Sequence, residues 1–127
     1  MRGKVPQRQT VILLGASNLT LGWSALTASL QQTFSDPLTL FVALGMGRSY
    51  VANSRFAARE LPGIQSCGIW AQLPAMASVP PVVMITDIGN DLVYGHELTT
   101  ITAAVGCCIR KCRAAFSDCR LVLAQLP

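Results

Sequence analysis

Four short apolar runs punctuate this chain, and far more residues separate each from the next than a hairpin turn would need. Val11-Ile-Leu-Leu14 stops at Gly15, and Leu38-Thr-Leu-Phe-Val-Ala-Leu44 stops at Gly45-Met-Gly47. Pro81-Val-Val-Met-Ile-Thr-Asp-Ile88 gives way to Gly89-Asn-Asp91, and a fourth run spans Arg120 to Gln125. The first reads as a strand buried on both faces, and the other three as further strands of the same sheet. Between the first two, Leu19, Trp23, Leu26, Leu30 and Phe34 recur every three or four residues. That stripe predicts a helix, with Asn18 as its cap and Asp36-Pro37 as its stop. Leu98, Ile101, Val105, Cys108/Ile109, Cys112 and Phe116 mark a longer amphipathic helix. Glu97 stands at its start and Arg110, Lys111 and Arg113 near its end, as the helix dipole favours. A shorter helix is expected from Ser49 to Glu60. Pro62, Pro74, Pro80 and Pro81 make the next stretch irregular, with one helical turn expected near Trp70. Strands that alternate with helices require crossover connections, and so predict a parallel sheet in a three-layer α/β/α arrangement.

Composition limits what such a sheet can belong to. A chain of 127 residues holds one domain, and 51% hydrophobic against 13% charged residues excludes a disordered chain. The net charge of +4 is not focused: Arg2, Lys4 and Arg8 sit in an N-terminal stretch and the other bases are scattered. With aromatics at 6% and no basic stripe interleaved with them, no nucleic-acid partner is expected. Residues 9–35 and 61–86 are uncharged, but polar side chains interrupt the first and prolines the second. Neither offers the run of about 20 apolar residues that a membrane span needs. The apolar run after the basic start is too short for a secretory signal, so a cytoplasmic protein is expected. Residues 1–9 read as a flexible basic arm and 10–127 as the folded domain. The five cysteines, Cys67, Cys107, Cys108, Cys112 and Cys119, lack the spacing of a zinc site and read as reduced, mostly buried thiols. No metal or cofactor is expected.

In a parallel sheet, ligands bind at the carboxyl ends of the strands. Three strands end there in Gly15-Ala-Ser-Asn18, Gly45-Met-Gly47-Arg48 and Asp87-Ile-Gly-Asn-Asp91. Singly, each is an ordinary turn or cap. Together they supply a serine hydroxyl at a strand-to-helix turn, backbone N–H groups at glycines and a side-chain amide. That set suits acyl transfer, because such donors can hold the oxyanion of a tetrahedral intermediate. Asp87, late in a buried strand, needs a hydrogen-bonding partner. Arg48 reads either as that partner or as a substrate contact. Asp91 is expected to hold its turn or a neighbouring loop, and Trp23 to belong to the core.

At these residues the chain resembles the SGNH hydrolases, the GDSL-like lipase and esterase family. Gly15-Ala16-Ser17-Asn18 stands where the family has its Gly-Asp-Ser nucleophile block, with Ala16 in place of the usual Asp. Gly47, with Gly45 as the competing choice, matches the family's second block. Ile88-Gly89-Asn90-Asp91 matches Gly-x-Asn-Asp, and Leu126-Pro127 is similar to the end of the family's fourth strand. The resemblance covers about residues 10–127. It implies a flavodoxin-like α/β/α fold and a serine ester hydrolase acting on a small-molecule ester. Ser17 is then the nucleophile, and the N–H groups of Ser17 and Gly47 with the Asn90 amide are the oxyanion donors.

The family's last block, Asp-x-x-His, carries the general base and its acid, and it does not occur here. The only histidine, His96, follows the third block and is expected at a helix start rather than in catalysis. A serine without a base is a poor nucleophile, so weak or no activity is expected of this chain. The expectation is a partial domain, truncated after the fourth strand, whose uncovered apolar surface favours self-association. Its mean hydropathy of +0.44 fits that picture. Alternatives are a non-catalytic ligand-binding or interaction domain of the same fold, a chain complemented by another, and a nucleotide-binding α/β domain. The last lacks Gly-x-Gly-x-x-Gly and Gly-Lys-Ser/Thr.

Overall fold

The computed structural model describes residues 8–56, 58–74 and 79–124. Four parallel strands form the main sheet: β1 (Gln9–Leu14), β2 (Leu38–Ala43), β5 (Val82–Ile85) and β6 (Arg120–Leu123). Their order is β2-β1-β5-β6, so β1 and β5 are central. A separate antiparallel pair, β3 (Ser54–Phe56) and β4 (Arg59–Leu61), lies between β2 and β5 in sequence. The helices are α1 (Ser17–Leu21), α2 (Trp23–Thr33), α3 (Ile69–Gln72), α4 (Asn90–Val93) and α5 (Leu98–Ala115), with a 3-10 turn at Ile64–Ser66.

The period-two alternation of β1 splits the core. Val11 and Leu13 face Trp23, Leu26, Leu30 and Phe34 of the first helical unit. Ile12 and Leu14 face the other way, toward Ile64, Ile69, Ile101, Cys108 and Cys112. Every residue of β1 is buried, which is why it reads as a continuous apolar run rather than an alternating one. From β1 the chain steps to β2 in one direction, and from β5 to β6 in the other. Right-handed crossovers then place α2 and α5 on opposite faces. β6 is an edge, and Val122 and Leu123 on it are exposed.

The helical stripes are borne out, with local differences. Gly22 divides the first helix into α1 and α2. Leu98 lies on the α5 stripe but is exposed, while Ala104 joins the core. The single turn expected near Trp70 is α3, whose ring sits 5.6 Å from the Lys111 ammonium. The segment from Ser49 to Glu60 is not a helix. Residues 49–53 are irregular, and the β3–β4 pair follows. There the Ser49 hydroxyl and the Tyr50 N–H both donate to the Asp91 carboxylate, and from Ser54 the chain pairs as an antiparallel hairpin instead of continuing as a helix. β1 begins at Gln9, inside the stretch read as an arm, and Arg8 donates to Thr39 Oγ1 at 2.7 Å and to the Leu38 carbonyl at 2.8 Å. Residues 1–7, like Gln125, Leu126 and Pro127, lie outside the described part. No helix among the described residues is long and apolar enough to cross a membrane.

Gly15 is required by a close approach. A Cβ there would lie 2.1 Å from Thr86 Oγ1 and 3.0 Å from Asp87 Oδ2. Thr86 could escape only by giving up the bond its hydroxyl donates to Asp87, with the Leu14 carbonyl as the competing acceptor. Gly15→Ala is therefore expected to cost about 2–3 kcal/mol, as overpacking of a filled core does. For a chain of this size that is a drop of about 10 °C in Tm, measurable by thermal circular dichroism. A Tm within 2 °C of the parent would show that the strands have room to separate.

Candidate functional site

The sheet's switch point lies between β1 and β5, where the chain leaves in opposite directions, and crevices form at that place. Tyr50 closes its floor. Its buried hydroxyl lies 2.7 Å from the Thr86 carbonyl and 3.0 Å from that of Leu14, the ends of the two central strands. Only one proton is available, so it donates to one carbonyl at a time. Burial, the proximity of Cys108 and the two nearby carboxylates hold the phenol far above its ordinary pKa, and it stays protonated.

Above that floor, Asp87 organises the first cluster. Its backbone is left-handed, with φ of 62°, a conformation that Asp tolerates better than most residues. This turns the carboxylate back onto the start of α1. It accepts from the N–H of Ala16 at 2.7 Å, of Asn18 at 3.3 Å and of Leu19 at 3.3 Å, and from Thr86 Oγ1 at 2.9 Å. Burial pushes this carboxyl up, but the four hydrogen bonds outweigh burial and leave it below the ordinary range. The expectation that a buried Asp87 is hydrogen-bonded is met. Its partners are not Arg48, which donates to the carbonyls of Leu44 and Pro62 at 3.1 Å each. Nor is Asn18 the cap: α1 begins at Ser17 without a cap from its own sequence, and Asp87 does that work from the next central strand.

Ser17 is the first residue of α1, half-buried at the carboxyl end of β1. Asp87 takes the amides on either side of it and leaves the Ser17 N–H and hydroxyl without a hydrogen-bond partner among the described residues. Gly47 sits in the turn after β2 with φ of 71°, and its carbonyl accepts from the Tyr94 hydroxyl at 2.5 Å. Gly45 has φ of 151°; a Cβ on it would lie 2.4 Å from Leu61 Cδ1, and its carbonyl accepts from the Arg48 N–H. Asn90 opens α4, half-buried, its N–H bonded to the Asp87 carbonyl at 3.3 Å. The three strand ends are thus tied together, first to third by Asp87 and second to third by Tyr94.

Asp91 is fully buried and fastens the loop after β2, as expected of it. It accepts from Ser49 Oγ and from the Tyr50 N–H at 2.9 Å, while Ser49 Oγ in turn accepts from Val51 and Ala52. His96 Nε2 lies 3.9 Å from Asp91 Oδ1. Ser49, Asp91 and His96 share residue types with a hydrolase triad, but here the carboxylate stands between hydroxyl and imidazole. A working triad needs the imidazole in the middle, so this group is an anchor.

A cleft of about 280 Å³ lies beside this anchor. Ser49, Asn53, Ser54, Arg55, Tyr94 and His96 line it; Ser17, Gly47 and Asn90 do not. Tyr50, Tyr94 and the 49–55 segment were not legible as site elements, because their partners lie about 40 residues or more away in sequence. All five cysteines are free. Burial and the neighbouring thiols push Cys108 up to about 12, and burial with Cys119 does the same to Cys112, so both stay protonated as the packing role expects. Among the described residues, no cluster of three or more potential metal ligands occurs.

The fold and the site define an α/β protein with a four-stranded parallel sheet and polar clusters at its strand ends. Comparison with models of protein families and with curated proteins found no match.

Proposed function

We propose that this chain is a serine ester hydrolase of the SGNH type, with a flavodoxin-like arrangement and Ser17 as nucleophile. The observation that carries the reading is the hydroxyl and N–H of Ser17, which have no hydrogen-bond partner among the described residues and stand between amides that Asp87 engages. In this reaction Ser17 Oγ attacks the ester carbonyl carbon and its proton passes to solvent. The alcohol leaves, and water then cleaves the acyl-enzyme to release the acid. The Ser17 and Gly47 N–H groups and the Asn90 amide hold the oxyanion. Gly47 is preferred to Gly45 because Tyr94 ties its turn to the helix that Asn90 opens, whereas Gly45 packs on Leu61. Asp87 is a poor base, since four donors already stabilise its charged form. Turnover is therefore slow, and donors without a base leave only residual acceleration.

The test is labelling by a fluorophosphonate, which needs a nucleophilic serine but no deacylation. Wild type is expected to label and Ser17→Ala to lose at least nine-tenths of the signal. Equal labelling of both removes the nucleophile assignment. No labelling of either favours a non-catalytic binding domain of the same fold.

A further inference from the structure

Two of the proposed oxyanion donors come from segments far apart in sequence. Gly47 lies in the turn after β2, and Asn90 opens α4. The Gly47 N–H and the Asn90 side-chain amide have no hydrogen-bond partner among the described residues. Among those residues, hydrogen bonds join the 44–50 segment to α4 and its cap at two places. One is deep: Asp91 receives Ser49 and Tyr50. The other is at the surface: the hydroxyl of half-exposed Tyr94 donates to the Gly47 carbonyl at 2.5 Å. The Tyr94 N–H also donates to the Asn90 carbonyl at 3.1 Å, closing α4. A single residue is thus bonded to both donor-bearing residues.

The surface bond acts on a peptide that is held at both ends. Its carbonyl, from Gly47, takes the Tyr94 hydroxyl, and its N–H, from Arg48, donates to the Gly45 carbonyl at 3.2 Å. A peptide is planar, so these two bonds fix its plane. Gly47 adopts a φ of 71°, and glycine does little to hold its own conformation. Without the Tyr94 bond, only the tight turn itself would set the direction of the Gly47 N–H. Stability is a poor reason for that bond, because water replaces an exposed partner at little cost. Geometry is a better one, since oxyanion donors act only within about 2.7–3.1 Å of the charge that develops.

We propose that Tyr94 is a positioning residue, whose hydroxyl sets the Gly47 N–H against the Asn90 amide. This rests on the reading of Ser17 as nucleophile and adds a residue to it. The experiment measures inactivation of the full chain by a fluorophosphonate over a range of probe concentrations. The phosphoryl oxygen of the probe gains charge as Ser17 attacks, so the maximal rate reports on the donors. Tyr94→Phe is expected to lower that rate about fivefold or more. The half-saturating concentration should stay within about twofold, and Tm within about 2 °C, which a merely structural role would not give. In an Asn90→Ala background, where the aligned pair is already broken, the same substitution should cost less than about twofold. Equal maximal rates in wild type and Tyr94→Phe overturn the proposal and leave Ser17 as nucleophile. So does a full loss in the Asn90→Ala background, or a rate that falls only together with Tm. No labelling of any variant or of wild type overturns the hydrolase reading and this role with it.

Discussion

Replacing Asp87 by alanine is expected to destabilise the protein by about 4 kcal/mol, the range found when one partner of a buried charged network is removed. Three amide donors and the Thr86 hydroxyl lose their shared acceptor, and alanine must also adopt a φ of 62°. Asp87→Asn separates the causes. Asparagine tolerates the left-handed backbone, and its oxygen can still face Ala16, Leu19 and Thr86. Its NH2 group, however, meets the Asn18 N–H donor to donor. About half of the loss is expected to remain.

The charge also makes the effect depend on pH. Folding lowers the Asp87 pKa, so the unfolded chain binds this proton first as acid is added. The stabilisation is present above the ordinary aspartate value of about 3.9, and is lost as pH falls through the lower folded value. Urea unfolding of wild type should therefore weaken on acidification below about pH 5, and Asp87→Asn should weaken less steeply. Parallel acid slopes for the two proteins would falsify the assignment of Asp87 as the charged clasp of β1, α1 and β5.

The second large effect is at Asp91. It is fully buried, and its carboxylate receives the Ser49 hydroxyl and the Tyr50 amide from a loop 41 and 42 residues upstream. Asp91→Ala strands both donors and opens a small void, and a loss of about 3 kcal/mol is expected. The damage should be directional. Tyr50 lies next to the lost acceptor, so its amide should exchange hydrogen markedly faster, as should the segment 49–53. The amides of β1, held by two neighbouring strands, should change only with global stability. Uniform acceleration across both regions would mean that Asp91 supports the whole fold rather than this loop.

These two carboxylates also mark the boundary of what could be read along the chain. The apolar run at Val11–Leu14 was legible because a buried parallel strand leaves a local signature of unbroken hydrophobicity, and Leu38–Ala43, half-buried beside it at the sheet edge, carries the same composition. The stripe from Leu19 to Phe34 was legible because helical period and burial coincide. The segment 49–60 was misread because its residues carry no strong period. In the folded chain it meets Asp91 at Ser49 and Tyr50 and pairs with itself across the β3–β4 hairpin.

The candidate site divides in the same way. Ser17, Gly47 and Asn90 were visible as clusters at strand ends, since glycine, serine and asparagine punctuate turns in sequence. Their connection through Asp87 and Tyr94 was not, nor was the cleft beside Asp91.

Sequence by itself determined that β1 would be buried on both faces, that two amphipathic helices would follow strands, and that the polar clusters would gather at one end of a parallel sheet. Those are consequences of periodicity and chain direction, and each is written within a window of a few turns. Tertiary structure alone decided the strand order, the capping of α1 by a carboxylate from β5's end, and the replacement of an expected helix by a hairpin that walls a cleft. Strand order and the α1 cap depend on hydrogen bonds between buried segments distant in sequence, and burial exists only once those segments have packed; the hairpin adds backbone pairing that its weakly periodic residues do not announce.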